Sequence, residues 1–307
     1  MTTCAVTPVD VRTDEKVRRP GVLSVAAVPP RPPAGARGPP RAAPGARPYA
    51  DPMAAMAGPV ALVGSGEYLP VLEGVERALL AGRPPRYVQL ATAAAPEGPA
   101  SLRRWHDLGA EAAERLGVEQ VVVPVVDRST ADDAGLAALI AGAGLIYLSG
   151  GNPGFLADAL RATAVWTAIV DAWNGGAALA GCSAGAMALS ASLPDIRHPW
   201  RPASPGLGLV PMVEVLPHFD RFAARMPDLV LRRVAGAPAG VRVIGIDEDT
   251  AMVSGLDGWG SSGSDRPAGP GTRWTVMGRQ SAWMLDPGGR VEVPAGSSVV
   301  LNAPGES

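Results

Sequence analysis

Lysine is almost missing from this chain: Lys16 is the only one, and arginine supplies the remaining basic residues. That imbalance reads as a coding bias rather than a functional choice. Formal net charge is −2, so bulk charge offers no attraction to nucleic acid or to an anionic membrane. Cysteine is nearly as scarce. Cys4 and Cys182 cannot build a disulfide framework, and a reducing, cytoplasmic setting is the expectation. No run of 18 or more apolar residues occurs, so no membrane span is predicted. The N-terminus also lacks the apolar stretch of a secretory signal. Histidine is limited to His106, His198 and His218, which leaves few candidates for a general base.

What is present is apolar residue in quantity: 47% of 307 residues are hydrophobic, enough for a sizeable core. It is unevenly spread. Residues 1–57 hold a stretch rich in Pro, Arg, Ala and Gly, PPRPPAGARGPPRAAPGARP, with little to bury and φ locked at many positions. Disorder is expected there, as an upstream extension of a domain spanning 58–307. From Pro59 onward, strand and helix patterns alternate. Strands are predicted at 60–63, 87–91, 121–126, 145–148, 177–180, 212–216 and 241–246. Helices are predicted at 68–81, 97–116, 131–141 and 184–189, with one or two more across 152–170. Near-continuous apolar strands separated by helices predict a doubly wound, mostly parallel α/β sheet with helices on both faces. Beyond residue 250 the strands shorten (250–253, 274–277, 282–285, 290–293) and turns such as Asp286-Pro287-Gly288-Gly289 appear. These predict antiparallel ribbons at the sheet edge. The stretch 255–271 reads as a surface loop.

Gly181-Cys182-Ser183-Ala184-Gly185 fits G-x-S-x-G between a predicted strand and a predicted helix. A sharp turn there would expose the serine hydroxyl, with small neighbours relieving the crowding. Ser183 is the candidate nucleophile. Cys182 lies one residue before the apex and is expected to point inward as a small buried hydrophobe. Of the three histidines, His106 falls on a helix face expected to be solvated and His198 in a loop. His218 follows a strand, and catalytic groups of open α/β sheets gather at carboxyl ends of strands. His218 is therefore the candidate base. Asp195, Glu214 and the cluster Asp247-Glu248-Asp249 all remain open as its orienting acid. The loop Ser149-Gly150-Gly151-Asn152-Pro153 opens a helix, and its N–H groups, with that of Ala184, are candidates for an oxyanion hole. Gly64-Ser65-Gly66 lacks the rest of a dinucleotide or P-loop pattern and is not read as a phosphate cradle.

Five segments carry a family resemblance: ALVGSGEYLP (61–70), YLSGGNPGFL (147–156), GCSAGAM (181–187), LPHFDR (216–221) and GIDEDTAMV (245–253). On these the chain resembles the S51 peptidases, the group of aspartyl dipeptidase E and cyanophycinase, within the class I glutamine-amidotransferase-like fold. The resemblance covers about residues 58–300. It implies that Ser183 is the nucleophile, that His218 is the base, that Gly151 and Asn152 line the oxyanion site, and that an acid follows the nucleophile, with Asp195 the nearest match. Cyanophycinases carry Asp-Gln before the histidine where this chain has Leu216-Pro217, which weakens a cyanophycin-specific reading. Arg221 and Arg225 follow the histidine, and a guanidinium there suits a substrate carboxylate.

The expectation is a serine hydrolase free of metal and cofactor, cleaving a small peptide or isopeptide through an acyl-enzyme. No nucleic-acid or membrane partner is expected, and a homodimer is compatible with the sequence. Two alternatives stand beside it: a catalytically inactive or regulatory binding domain on the same fold, and a Cys-dependent enzyme using Cys182.

Overall fold

The structure, a computed structural model, describes residues 57–195, 198, 201–223, 241–256, 272–286 and 289–301. The expected disorder of the N-terminal tail falls outside these residues except at Ala57, as do Arg225 and all but the first two residues of the expected surface loop.

Strand and helix alternate through the first half: β1 (Val60–Val63), α1 (Glu73–Leu80), β2 (Arg86–Leu90), α2 (Pro99–Leu116), β3 (Glu119–Val122), α3 (Arg128–Ala131), α4 (Ala134–Ala138), β4 (Leu145–Leu148), α5 (Pro153–Leu160), α6 (Ala164–Asn174), β5 (Ala178–Cys182) and α7 (Ala184–Leu189). A two-residue ribbon follows, β6 (Ser192–Leu193) against β7 (Ser204–Pro205). The later elements are β8 (Val213–Leu216), α8 (Phe219–Ala223), β9 (Arg242–Ile246), β10 (Thr250–Ser254), β11 (Thr272–Gly278), β12 (Ser281–Asp286), β13 (Gly289–Pro294) and β14 (Ser298–Leu301).

The main sheet has the order β14-β11-β10-β1-β5-β4-β2-β3. Strands β1, β5, β4, β2 and β3 pair in parallel, and β10, β11 and β14 extend the β1 edge antiparallel. Side chains of β1 divide by the period of two. Val60 and Leu62 join a core with α5, α6 and α7, through residues such as Leu156, Ile169 and Trp173. Ala61 and Val63 face α1 and α2, where Leu79 and Ala112 meet Tyr68, Tyr87 and Tyr147. With both faces covered, β1, β4 and β5 are buried throughout, which is why they read as unbroken apolar runs.

One expectation needs correction. The late ribbons do not all sit at the edge of one sheet. A second, four-stranded sheet runs β13-β12-β9-β8. Here β8 and β9 are parallel, and β12 and β13 are antiparallel to their neighbours. Strands β9 and β10 are separated only by Asp247–Asp249 yet belong to different sheets. Alternation reveals that a segment is extended, but both sheets present the same alternation to it. The three-residue crossing between the sheets matters for the site, because it places an acidic turn beside the carboxyl ends of β1 and β8.

Candidate active site

Small residues build the turn at Ser183. A methyl group on Gly181 would lie 2.5 Å from the carbonyl carbon of Gly185, and one on Gly185 would lie 2.2 Å from the Leu148 carbonyl oxygen. The two glycines of G-x-S-x-G are therefore the contact surfaces through which α7 packs onto β5 and β4. The turn forces Ser183 to φ 49°, ψ −108°, a conformation that costs a non-glycine residue about 1–3 kcal/mol and persists only when the surroundings dictate it. Its N–H donates to the Val63 carbonyl at 2.9 Å, fixing the turn to the end of β1.

His218 arrives from the other sheet. It follows β8 at φ 51° and directly precedes buried Phe219. The Phe219 ring occupies the space over Gly245, where a methyl would come within 2.4 Å of it. It also packs at 5.9 Å from the Trp283 ring. Anchored in this way, His218 places Nε2 3.1 Å from the Ser183 Oγ. Its Nδ1 lies 3.0 Å from Oε1 of Glu248. A carboxylate accepts and does not donate, so Nδ1 carries the proton and the Nε2 lone pair faces the serine. The imidazole is 43% exposed, open to an incoming substrate.

Glu248 sits at the centre of the β9–β10 crossing. Its N–H donates to Asp220 at 3.0 Å, and Gln280 donates to its carbonyl at 3.0 Å. Its second carboxylate oxygen takes Nε of Arg221 at 2.8 Å. The neighbouring acids point elsewhere: Asp247 accepts from the Trp283 indole and the Ser281 N–H, and Asp249 meets Arg279 at 3.4 Å. Burial raises the Asp247 carboxyl above its ordinary range.

Asp195 is not brought to His218. Both ring nitrogens of His218 already have partners, and the Asp195 carboxylate instead meets the N–H and Nδ1 of His198, at 2.9 and 3.1 Å. The β6–β7 ribbon carries this segment to a cavity of about 740 Å³ beside the GGN loop, lined by Gly151, Asn152, Met187, Asp195, His198 and Arg201 among others. Glu214, the other early candidate, accepts from Ser192, and burial raises its pKa. The acid beside His218 is thus Glu248, from the cluster that sequence alone could not resolve. His106 is half-buried rather than solvated, and burial lowers its pKa.

The GGN loop lies against Ser183: a methyl on Gly150 would stand 3.5 Å from its Cβ. Gly151 has φ 137°, and a methyl there would lie 2.4 Å from the Ala93 carbonyl oxygen, so only glycine fits. The Asn152 N–H is taken by that same carbonyl at 2.8 Å, and its side chain caps α5 by accepting from the Phe155 N–H. Asn152 is therefore a structural member of the loop. Among the described residues no acceptor is recorded for the N–H groups of Gly151 and Ala184; the latter opens α7, where the first N–H groups have no intrahelical partner.

Cys182 is fully buried, as expected, but it is more than a small hydrophobe. Its thiol donates to Oε2 of buried Glu67 at 2.8 Å. Burial, and then the Glu67 charge, push the thiol pKa well up. It stays protonated, which argues against a cysteine nucleophile here. Glu67 itself was not foreseen, since a glutamate in a glycine turn carries no sequence sign of burial.

The model of peptidase family S51 matches residues 100–257, a span that includes Ser183, His218 and Glu248. Among solved structures, the crystal structure of a peptidase from an acI-B1 Actinobacterium is 37% identical, with 81% of this chain and 98% of that one covered at a TM-score of 0.70. A putative peptidase E protein from Listeria monocytogenes EGD-e is 19% identical, with 64% of this chain and 94% of that one covered at a TM-score of 0.46. No curated protein matches. By the family model and the close structural relative, the chain belongs to peptidase family S51 and is a serine-type peptidase.

Proposed function

We propose that the protein hydrolyses a small peptide or isopeptide through an acyl-enzyme on Ser183, with His218 as general base and Glu248 as its orienting acid. The observation that carries this reading is the continuous relay from the Ser183 hydroxyl to the His218 imidazole to the Glu248 carboxylate, with contacts of 3.1 and 3.0 Å. In the first step Oγ attacks the scissile carbonyl while Nε2 takes its proton. Glu248 holds the imidazole in the tautomer that leaves Nε2 unprotonated, and it stabilises the imidazolium that forms. The oxyanion receives the N–H groups of Gly151 and Ala184. His218 then returns the proton to the leaving amine. A water, deprotonated by the same nitrogen, releases the acid and restores the serine.

The cavity beside Gly151 and Asn152 has the size of a small-ligand site, room for part of a small peptide next to the GGN loop. Arg221, 70% exposed while paired to Glu248, has donors to spare for a substrate carboxylate, and an acidic residue at the cut is the preferred substrate. The test is a panel of Asp-Xaa and Ala-Xaa dipeptides, together with labelling by a fluorophosphonate probe. Ser183→Ala is expected to abolish both labelling and turnover. If that variant cleaved every accepted dipeptide at the wild-type rate, the assignment would fail.

A further inference from the structure

We propose that Glu67 is a positioning residue that sets the oxyanion hole by tying the residue before the nucleophile to the loop opposite it. The proposal rests on the serine-hydrolase reading and adds a residue from a part of the chain remote from the Ser–His–Glu relay.

The geometry begins at the end of β1. Gly64 passes so close to the β9–β10 crossing that a methyl there would lie 2.1 Å from the Asp247 carbonyl oxygen. Gly66, at φ 86°, leaves 2.5 Å between such a methyl and Oδ1 of Asp249. Squeezed against that crossing, the chain turns inward, and Tyr68 is held at φ 66°. A positive φ at a bulky residue is a strained backbone, of the kind found where function fixes a side-chain direction. Arg115 donates to the Tyr68 carbonyl and holds the turn in place.

Both side chains of this turn end on the same loop. The Tyr68 hydroxyl lies 2.7 Å from Oγ of Ser149. Oε1 of Glu67 accepts the Gly150 N–H at 3.0 Å, while Oε2 accepts the Cys182 thiol at 2.8 Å. One buried carboxylate thus spans from the strand residue that precedes Ser183 to the loop that faces Ser183. On the far side of the loop, the Asn152 N–H is held by the Ala93 carbonyl. The peptide units before and after Gly150–Gly151 are therefore both pinned, and the unit between them carries the Gly151 N–H. Its direction is set by the two fixed neighbours, and of these the Glu67 bond is the one mechanically linked to the nucleophile strand. Oxyanion stabilisation depends on donors held in place before charge develops, so a shift in Gly150 reaches the transition state without touching the base.

Fluorophosphonate labelling tests this directly, because the phosphoryl oxygen of the probe would occupy the oxyanion position. Labelling of the full chain is followed against probe concentration to separate the maximal rate from half-saturation, with folding checked by thermal melting. Glu67→Ala is expected to lower the maximal rate about 10- to 100-fold, less than the outright loss of a donor, with half-saturation unchanged. Glu67→Gln, which keeps an acceptor oxygen for the Gly150 N–H, is expected to recover most of that rate. The midpoint of the labelling pH profile should match wild type in both, since the base is untouched. Should the alanine variant fail to fold, Glu67→Asp serves in its place: one methylene shorter, it cannot span both donors and should label slowly. A folded Ala or Asp variant labelling at the wild-type rate, or a Gln variant no faster than Ala, overturns the inference. If wild type labels and Ser183→Ala does not, either of those results refutes the role of Glu67 alone; absence of Ser183-dependent labelling in wild type instead refutes the hydrolase reading beneath it.

Discussion

The three consecutive acids 247–249 show how much one residue's direction decides. Asp247 faces an indole, Glu248 faces the imidazole and Asp249 faces an arginine. Their chemistry is nearly the same, so only backbone direction selects Glu248, and no sequence pattern encodes that. The assignment has a sharp consequence. Glu248→Gln keeps the size of the side chain but offers an amide N–H as well as a carbonyl to Nδ1. When the amide donates, Nδ1 must accept, the proton moves to Nε2, and the base is lost. Labelling and peptide turnover are expected to fall by up to about 10⁴-fold, the loss that follows when a triad acid becomes an amide and the base takes the wrong tautomer. The pair with Arg221 is open to solvent on the arginine side, and a glutamine keeps an oxygen for the guanidinium; such a pair is worth about 0–1 kcal/mol, so the thermal midpoint should move little. A large drop in stability without a loss of labelling per folded molecule would show Glu248 to be structural instead.

At the scale of elements, the site depends on how closely α7 approaches the sheet. Gly185 touches the Leu148 carbonyl, so Gly185→Ala must push α7 away from β4 or strain its first turn. The expected cost is about 3 kcal/mol or more, at the upper end of overpacking, together with loss of labelling as Ser183 leaves its position. Thermal melting and labelling of the folded fraction check the two effects separately. Such elements were the most legible part of the chain. β1, β4 and α7 fall where periodicity and the glycine pattern put them, at Val60–Val63, Leu145–Leu148 and Ala184–Leu189. Boundaries were weaker where helices start irregularly: the helix predicted at 131–141 is the shorter α4, Ala134–Ala138, capped by Asp133, and a separate four-residue α3, Arg128–Ala131, capped by Asp127, precedes it. β14 was missed because it is only four residues long and its outward-facing Val300 is apolar though exposed, which blurs the alternation. The second sheet was missed for a different reason, since strand pairing is a long-range choice. Of the site, Ser183 and His218 were legible through a turn motif and a strand end. Glu67 was not, since its burial is created by glycines packing against a crossing nearly 200 positions away in sequence.

Considered as a whole molecule, the chain has an unusual acid in its core. Glu76 on α1 is buried among Tyr87, Tyr147 and Tyr68. Oε1 accepts from the Tyr87 hydroxyl at 2.9 Å, while Oε2 has no hydrogen-bond partner among the described residues. Loss of hydration on burial raises its pKa from 4.5 to about 7, against the opposing pull of the Tyr87 bond and of Arg115. The sign follows from proton counts. Between pH 4.5 and 7 the folded state keeps this proton and the unfolded chain does not, so stability falls as pH rises through that window and levels off above it. A shift of this size, at about 1.4 kcal/mol per unit, amounts to roughly 3 kcal/mol. For a domain of this size that corresponds to a thermal midpoint lower by about 6–12 °C at pH 8 than at pH 4.5, from this group alone. Glu76→Gln removes the titration while keeping a carbonyl for Tyr87. Its midpoint, measured by calorimetry across the same range, should therefore show a shallower decline and exceed wild type above neutrality. A variant whose pH dependence between 4.5 and 8 overlays the wild-type curve would mean that the Glu76 proton is not what couples folding to pH.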